Sequence, residues 1–162
     1  TELASISAGD EAALLALNHD HAGELSWLDA ARLRHLLAQA FYSRRAGNDA
    51  AFLLAFDHAA DYDSPNYLWF RERYPRFVYV DRIVVAPAMR KHGLAKRLYE
   101  DLFRAVSDAG HDRIVCEVNS DPPNPASDAF HASLGFVEIG HAAIYGGAKT
   151  VRYLARRVLP GL

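Results

Sequence analysis

The sequence predicts an α/β or α+β fold, a mixed central sheet of about six or seven strands flanked by helices. Three observations predict it. Residues 77–86 are an apolar, β-branched run that reads as a strand, closed by Pro87, which cannot donate to a central ladder. Leu94, Leu98, Leu102 and Val106 then recur at helical spacing, and Gly110 stops that helix. Similar strand-like runs and helical stripes alternate on either side of this unit.

Taken in order, residues 3–7 alternate as a short first strand. Asp10 caps a helix that begins at Glu11, carries Leu14, Leu15 and Leu17, and ends near Asn18. Ser26 with Asp29 resembles a capping box and opens a second helix from Trp27, with Leu28, Leu33, Leu36 and Leu37 on its apolar face. Residues 40–44 and 50–57 read as strands joined by a turn at Gly47-Asn48. Residues 57–76 form a connection much longer than the usual length of about 4–6, which goes with function or with structure of its own. Its Asp61, Tyr62, Asp63, Tyr67, Trp69 and Phe70 either wall a site for a cationic acceptor or cap the core. In the strand at 113–119, Ile114, Cys116 and Val118 face one way and Val115, Glu117 and Asn119 the other. Asn124 caps a helix with Pro125 at its first position, Ala129, Phe130 and Leu134 turned inward, and Gly135 as its stop. Residues 136–144 and 149–158 make a final hairpin around Gly146-Gly147.

The 162 residues suit a single domain over residues 1–162, 51% hydrophobic and 23% charged as in ordinary globular chains. A net charge of −2 supplies no basic field for nucleic acid. No apolar run reaches membrane-spanning length and no leader pattern opens the sequence, so neither a membrane nor secretion is expected. The one cysteine, Cys116, excludes an internal disulfide and fits a reducing cytoplasm. The eight histidines are scattered, with His19-Asp20-His21 the only close pair, and no metal site is expected.

The turn between strand and helix carries the clearest chemistry. The first N–H groups of a helix lack intrahelical partners, and the dipole makes that end positive. Gly93 and Ala95 are small enough for an anion to approach the backbone, and Arg90, Lys91 and Lys96 add charge. A di- or triphosphate fits there; a plain turn with an exposed basic rim is the alternative. Neither a Walker A sequence nor a dinucleotide fingerprint is present, so nucleotide hydrolysis and dinucleotide binding are not indicated.

Arg90-x-x-Gly93-x-Ala95, led in by Val85-x-Pro87, resembles the R/Q-x-x-G-x-G/A motif of the GNAT (Gcn5-related) N-acetyltransferases. Residues 124–136, from Asn124 through Phe130 and His131 to Gly135-Phe136, resemble the same family's N-x-x-A-x-x-[LF]-Y-x-x-x-G-F. The good match covers roughly residues 77–137. The resemblance implies a GNAT fold and transfer of an acetyl group from acetyl-CoA, as co-substrate, to an amine by direct attack in a ternary complex. It implies that Ile83, Val84 and Val85 pair with the pantetheine arm and offer an N–H to the thioester oxygen. Arg90, Lys91, His92, Gly93, Leu94, Ala95 and Lys96 would hold the pyrophosphate. Asn124, Ser127 and Phe130 would contact pantetheine, and Asn124 also reads as a helix cap. The acceptor is expected to be an amine-bearing small molecule or peptide, met by Asp61, Tyr62, Asp63, Tyr67 and Trp69, with the segment 19–27 nearby. The C-terminal strand pair admits a homodimer.

Acyl transfer from a thioester needs a neutral amine and donors for the developing oxyanion. The thiolate leaves readily, since a thiol pKa is near 8.5. A base therefore matters most. Glu117 is the first candidate: a carboxylate inside a central strand is desolvated toward the working range, and Cys116-Glu117-Val118 resembles the L-E-V stretch of GNATs that acetylate protein N-termini. A salt-bridged structural Glu is the alternative. Asp81 and Tyr79 are second candidates on the central strand. The family's usual acid, the Tyr of the second motif, is replaced by His131, which would donate as imidazolium, accept as imidazole, or merely touch CoA. A non-catalytic acyl-CoA-binding module, or transfer of another acyl group, is the rival reading.

Overall fold

The computed structural model describes residues 3–20, 28–47, 49–121 and 123–159. Among them, β1 (Leu3–Ser5), β2 (Tyr42–Ala46), β3 (Ala51–Asp57), β4 (Val78–Val85), β5 (Arg113–Asp121), β6 (Val137–Ile144) and β7 (Lys149–Arg157) form one seven-stranded sheet. Its order is β1-β2-β3-β4-β5-β7-β6. Only the β4–β5 pair is parallel, so the sheet is mixed, as the GNAT fold implies. The helices are α1 (Glu11–Asp20), α2 (Ala30–Gln39), α3 (Pro65–Arg71), α4 (Leu94–Asp108) and α5 (Pro125–Ser133).

Period two divides the strands between two cores. In β3, Phe52, Leu54 and Phe56 pack with Leu14 of α1, Leu33 and Leu36 of α2 and Phe70 of α3. The alternate Ala51, Leu53 and Ala55 face Leu94, Leu98, Leu102 and Val106 of α4, the stripe seen in the sequence. Each such leucine, fully buried, contributes roughly 1.5–3 kcal/mol.

β4 breaks this alternation once. Leu54 pairs with Arg82 and Ala55 with Val80, so Asp81 is an extra residue that bulges β4. A bulge re-aims the side chains that follow it. Before it Val78 and Val80 face α4; after it Ile83 and Val85 do, while Val84 joins the opposite core. The same point separates β4 from β5, whose described ladder consists of Val78↔Ile114 and Tyr79↔Val115. β5 instead follows β7 as far as Asp121↔Thr150.

Several boundaries differ from the sequence reading. Asp10 does not cap Glu11 directly: it ends a 3₁₀ turn, where its carboxylate accepts the Ser7 N–H at 2.9 Å and meets Arg45 at 3.2 Å. α1 runs on to Asp20, past the expected end at Asn18. α2 starts at Ala30 rather than Trp27, because Asp29 is the N-cap and accepts the Arg32 N–H at 2.7 Å; Ser26 and Trp27 lie outside the described residues. β2 begins two positions later than expected, at Tyr42. The long connection 57–76 holds α3, with Pro65 at its first turn. In α5, Ala129 is exposed, and the buried residue of that helix is His131.

Candidate active site

Where β4 and β5 part, their facing sides enclose a cavity of about 110 Å³. Val80–Ile83 line it from β4 and Cys116–Asn119 from β5; Tyr99 of α4 and Asn124, Ser127 and His131 of the α5 segment close it. A second cavity, about 40 Å³, lies toward α3 and the β6–β7 connection, against Tyr62, Ser64, Asn66, Tyr79, Ile144, Tyr145 and Lys149. Asp81, Arg82, Glu117 and Asn119 belong to both walls.

Glu117 is tied in by two side chains, and a third holds one of them. The Tyr79 hydroxyl lies 2.8 Å from Oε2 and 3.0 Å from Oε1, and Asn66 Nδ2 donates to Oε1 at 3.0 Å. Tyr153 in turn donates to Asn66 Oδ1 at 3.0 Å. Glu117 keeps some surface open to the cavities, yet its carboxyl is enclosed by protein. Burial pushes it up to about 8, with the negative charge of Asp81 acting the same way, against the Tyr79 and Asn66 donors. Burial likewise pushes the Tyr79 phenol well above its ordinary range, with the Glu117 charge adding to it. Tyr79 is therefore a proton-bearing donor to Glu117.

Asp81, the bulged residue, is fully engaged. Its carboxylate accepts the Tyr62 hydroxyl at 2.5 Å and the Arg82 Nε at 2.5 Å, and Arg82 reaches Asn18 Oδ1 at 3.0 Å. This pairing occupies both oxygens of Asp81 and leaves Glu117 as the carboxylate with a proton-accepting task open to it.

Of the forms the sequence leaves open for His131, the surroundings favour the neutral imidazole. It is buried, with Nδ1 2.8 Å from the Ser127 carbonyl and Nε2 2.6 Å from the Tyr99 hydroxyl. The carbonyl can only accept, so Nδ1 carries the proton and Nε2 accepts from Tyr99. Burial holds the imidazole below its ordinary value, against the opposing Ser127 bond. The resting group is a neutral acceptor, because a second ring proton would be a buried charge, while the neutral ring takes the Tyr99 proton.

The turn before α4 has the expected form. Gly93 is left-handed at φ 76°, ψ 11°, and Lys91 also has a positive φ of 66°. Arg97 N–H is the first to find a carbonyl, Gly93 O at 3.0 Å, so the N–H groups of Leu94, Ala95 and Lys96 face outward at the helix start. Arg90, Lys91, His92 and Lys96 are exposed around them, Ala95 is half-buried, and a Cβ on Gly93 would meet nothing within 4 Å. The Leu94 side chain is buried, so only its backbone serves this end. The same holds for Val84, whose side chain is in the opposite core, while Ile83 lines the larger cavity and Val85 is half-buried. Asn124 Oδ1 accepts the Ser127 N–H at 3.2 Å, so the capping role is realised, and both residues line the cavity. Phe130 packs 5.8 Å from Tyr99.

The proposed acceptor wall is mostly elsewhere. Of its members only Tyr62 lines the smaller cavity. Asp61 is exposed, and Asp63 is paired with Arg32 at 3.2 Å on the surface. Tyr67 is buried with its hydroxyl on the Asp57 carbonyl at 2.6 Å, Phe70 is buried, and Trp69 stacks on Tyr153 at 4.1 Å. These aromatics cap the core. Residues 21–27, also named for acceptor contact, lie outside the described residues. Ser64, Asn66, Tyr99, Asn119, Tyr145 and Lys149 line the cavities although sequence reasoning assigned none of them a role. For Asn66 alone there was a local signal, Ser64-Pro65 as a helix start. Among the described residues, no group of three or more His, Cys, Asp or Glu is placed to hold a metal ion, and no helix is long and apolar enough to cross a membrane.

Comparison with known proteins agrees with the fold. No curated protein matches the chain by sequence. The ribosomal-protein-S18-alanine N-acetyltransferase of Escherichia coli superposes with a TM-score of 0.72 at 17% identity, covering 98% of this chain and 94% of that one. Ard1 of Thermoplasma volcanium gives 0.78 at 15% identity over 98% and 97% of the two chains. Naa20 of Chaetomium thermophilum, solved with a bisubstrate analogue, gives 0.77 at 16% identity over 98% and 87%. The family model described as "Acetyltransferase (GNAT) family" matches residues 66–136, a stretch that takes in α3, the β4–α4 turn, β5 and α5.

Proposed function

We propose that this chain transfers an acetyl group from acetyl-CoA to the amine of a small molecule or peptide, by direct attack, with Glu117 as the base. The observation that carries the reading is the position of Glu117, a carboxylate raised to about 8 on the wall shared by two cavities. The larger cavity and the β4 edge beside it fit a pantetheine arm, and the open N-terminus of α4 fits a pyrophosphate. The acceptor amine arrives through the smaller cavity, mostly as ammonium, and loses its proton to Glu117. Backbone N–H groups of β4 beyond the bulge stabilise the oxyanion on the acyl carbonyl. A thiolate with an ordinary pKa near 8.5 departs without a dedicated protein acid, so a neutral His131 closing the cavity with Tyr99 is sufficient. The lone thiol, Cys116, is buried in the core, which fits a cytoplasmic setting.

The neighbours named for N-acetylation of a ribosomal-protein alanine, and solved with a bisubstrate analogue, put peptide α-amines first among acceptors to try. The test is release of free CoA thiol from acetyl-CoA over a panel of peptides, amino acids, polyamines and other amines, with Glu117→Gln as control. Acceptor-dependent release that falls in the variant supports the reading. CoA binding without turnover of any acceptor favours the non-catalytic module, and turnover of a longer acyl-CoA but not acetyl-CoA favours another acyl group.

A further inference from the structure

Glu117 is gripped from the acceptor side by buried groups that do not themselves react. Asn66, on the first turn of α3 and 7% exposed, gives Nδ2 to Oε1 at 3.0 Å. Its Oδ1 takes the Tyr153 hydroxyl at 3.0 Å. With that phenol proton on Oδ1, the amide must present its NH₂ to Glu117. Tyr153 cannot readily turn away: Trp69 stacks on it at 4.1 Å and Phe70 meets it edge-on at 5.1 Å. Trp69 is itself pressed against Gly140, where a Cβ would lie 2.6 Å from the ring.

We propose that Asn66, oriented by Tyr153, is a positioning residue for Glu117, fixing the carboxylate rotamer that faces both cavities. The inference rests on Glu117 being the base. Without the amide, the only side chain left on the carboxylate is Tyr79, whose single proton is shared between oxygens at 2.8 and 3.0 Å, beside the backbone N–H of Glu117 itself, and its rotamer is less firmly set. The amide also favours the ionised carboxylate, since it donates to a charge. A mere packing role would alter stability and leave the titration of Glu117 in place.

The test needs no acceptor. In the full chain labelled with ¹³C at glutamate Cδ, the Glu117 resonance is assigned by its loss in Glu117→Gln and titrated by NMR. Asn66→Ala should raise its midpoint by about 0.5–1 pH unit, the worth of one hydrogen bond. Asn66→Asp, which sets a second carboxylate there, should raise it further. Tyr153→Phe should raise it less, because the amide remains but loses its orienting donor. Once an acceptor is known, the acidic limb of kcat/KM should move in the same order while CoA affinity holds. A midpoint that stays put or falls in folded Asn66→Ala overturns the proposal; if that variant does not fold, an unmoved midpoint in Tyr153→Phe does so. An acidic limb that survives in Glu117→Gln removes the base assignment itself. A limb lost in Glu117→Gln, with unmoved midpoints in the other variants, removes the positioning role alone.

Discussion

The Tyr79 hydroxyl and the Glu117 carboxylate meet 2.8 Å apart beside the last paired residues of β4 and β5, so the strands separate next to the buried carboxylate. The bulge at Asp81 follows directly, and the backbone of β4 beyond it turns toward the larger cavity. One short parallel ladder thus both anchors Glu117 through Tyr79 and opens the space on either side of it.

Holding a buried carboxylate has a measurable consequence for stability. Near the ordinary value of about 4.5 and below, folded and unfolded chains both carry the Glu117 proton. As pH rises toward 8, the unfolded chain releases that proton while the folded chain keeps it, so stability falls across this window. Glu117→Gln removes the penalty. Its Tm should exceed the parent's at pH 8, and the difference should shrink as the pH is lowered toward 4.5. Thermal unfolding of both proteins across the range checks this, and a difference that ignores pH contradicts it.

CoA affinity should depend on the turn before α4. Gly93→Glu puts an anion beside the free N–H groups of Leu94, Ala95 and Lys96, in open space, at a left-handed residue where a side chain costs about 1–2 kcal/mol. The variant should fold and bind CoA on the order of 100-fold more weakly. Gly93→Ala bears only the backbone cost and should lose far less. Calorimetric titration with CoA distinguishes them; equal affinities in both variants contradict the assignment.

His131 should matter to the fold before it matters to the chemistry. Its ring packs between Tyr99, Phe130 and Phe136 at 5.4–5.5 Å, and it accepts the Tyr99 proton. His131→Ala should lower stability by roughly 2–4 kcal/mol through the void and the orphaned phenol, with the acidic limb of the pH–rate profile unmoved. Denaturant unfolding and a pH profile together decide it. An unchanged stability with a lost acidic limb makes His131 the base.

Asp61 and Asp63 should be dispensable for the acceptor. Asp63 makes a surface pair with Arg32, and such pairs are worth about 0–1 kcal/mol. Replacing both by Asn should leave KM for the acceptor within about 2-fold, the effect expected of surface charges outside a site. A large rise in that KM alone would return these residues to the site.

The parts legible in the sequence were those that local chemistry decides. Gly93 marks the tight turn before α4, Pro125 suits a first helical turn, and period two in β5 puts Glu117 opposite Cys116. The parts that were hidden depend on partners far away in the chain. The bulge at Asp81 exists only relative to β3, because an extra residue has no meaning until Leu54 and Ala55 set the register. α3 is seven residues, too short to show a stripe, so Asn66 read as part of a loop. The Tyr99–His131 bond joins two helices, and nothing near either residue announces it. The aromatics of the long connection read equally as a binding wall or a cap, and packing against Phe77, Tyr79 and Tyr153 makes most of them a cap.

In the proposed reaction the decisive step is the transfer of the amine's proton to Glu117. The measurement is kcat/KM for the acceptor against pH, in the parent and in Glu117→Gln. In the parent, activity should rise along an acidic limb to a plateau, with its midpoint near the raised value of about 8. In the variant it should fall by roughly 10²–10⁴ and lose that limb. A variant that keeps the parent's limb, or that loses activity without any change in the shape of the profile, contradicts the assignment.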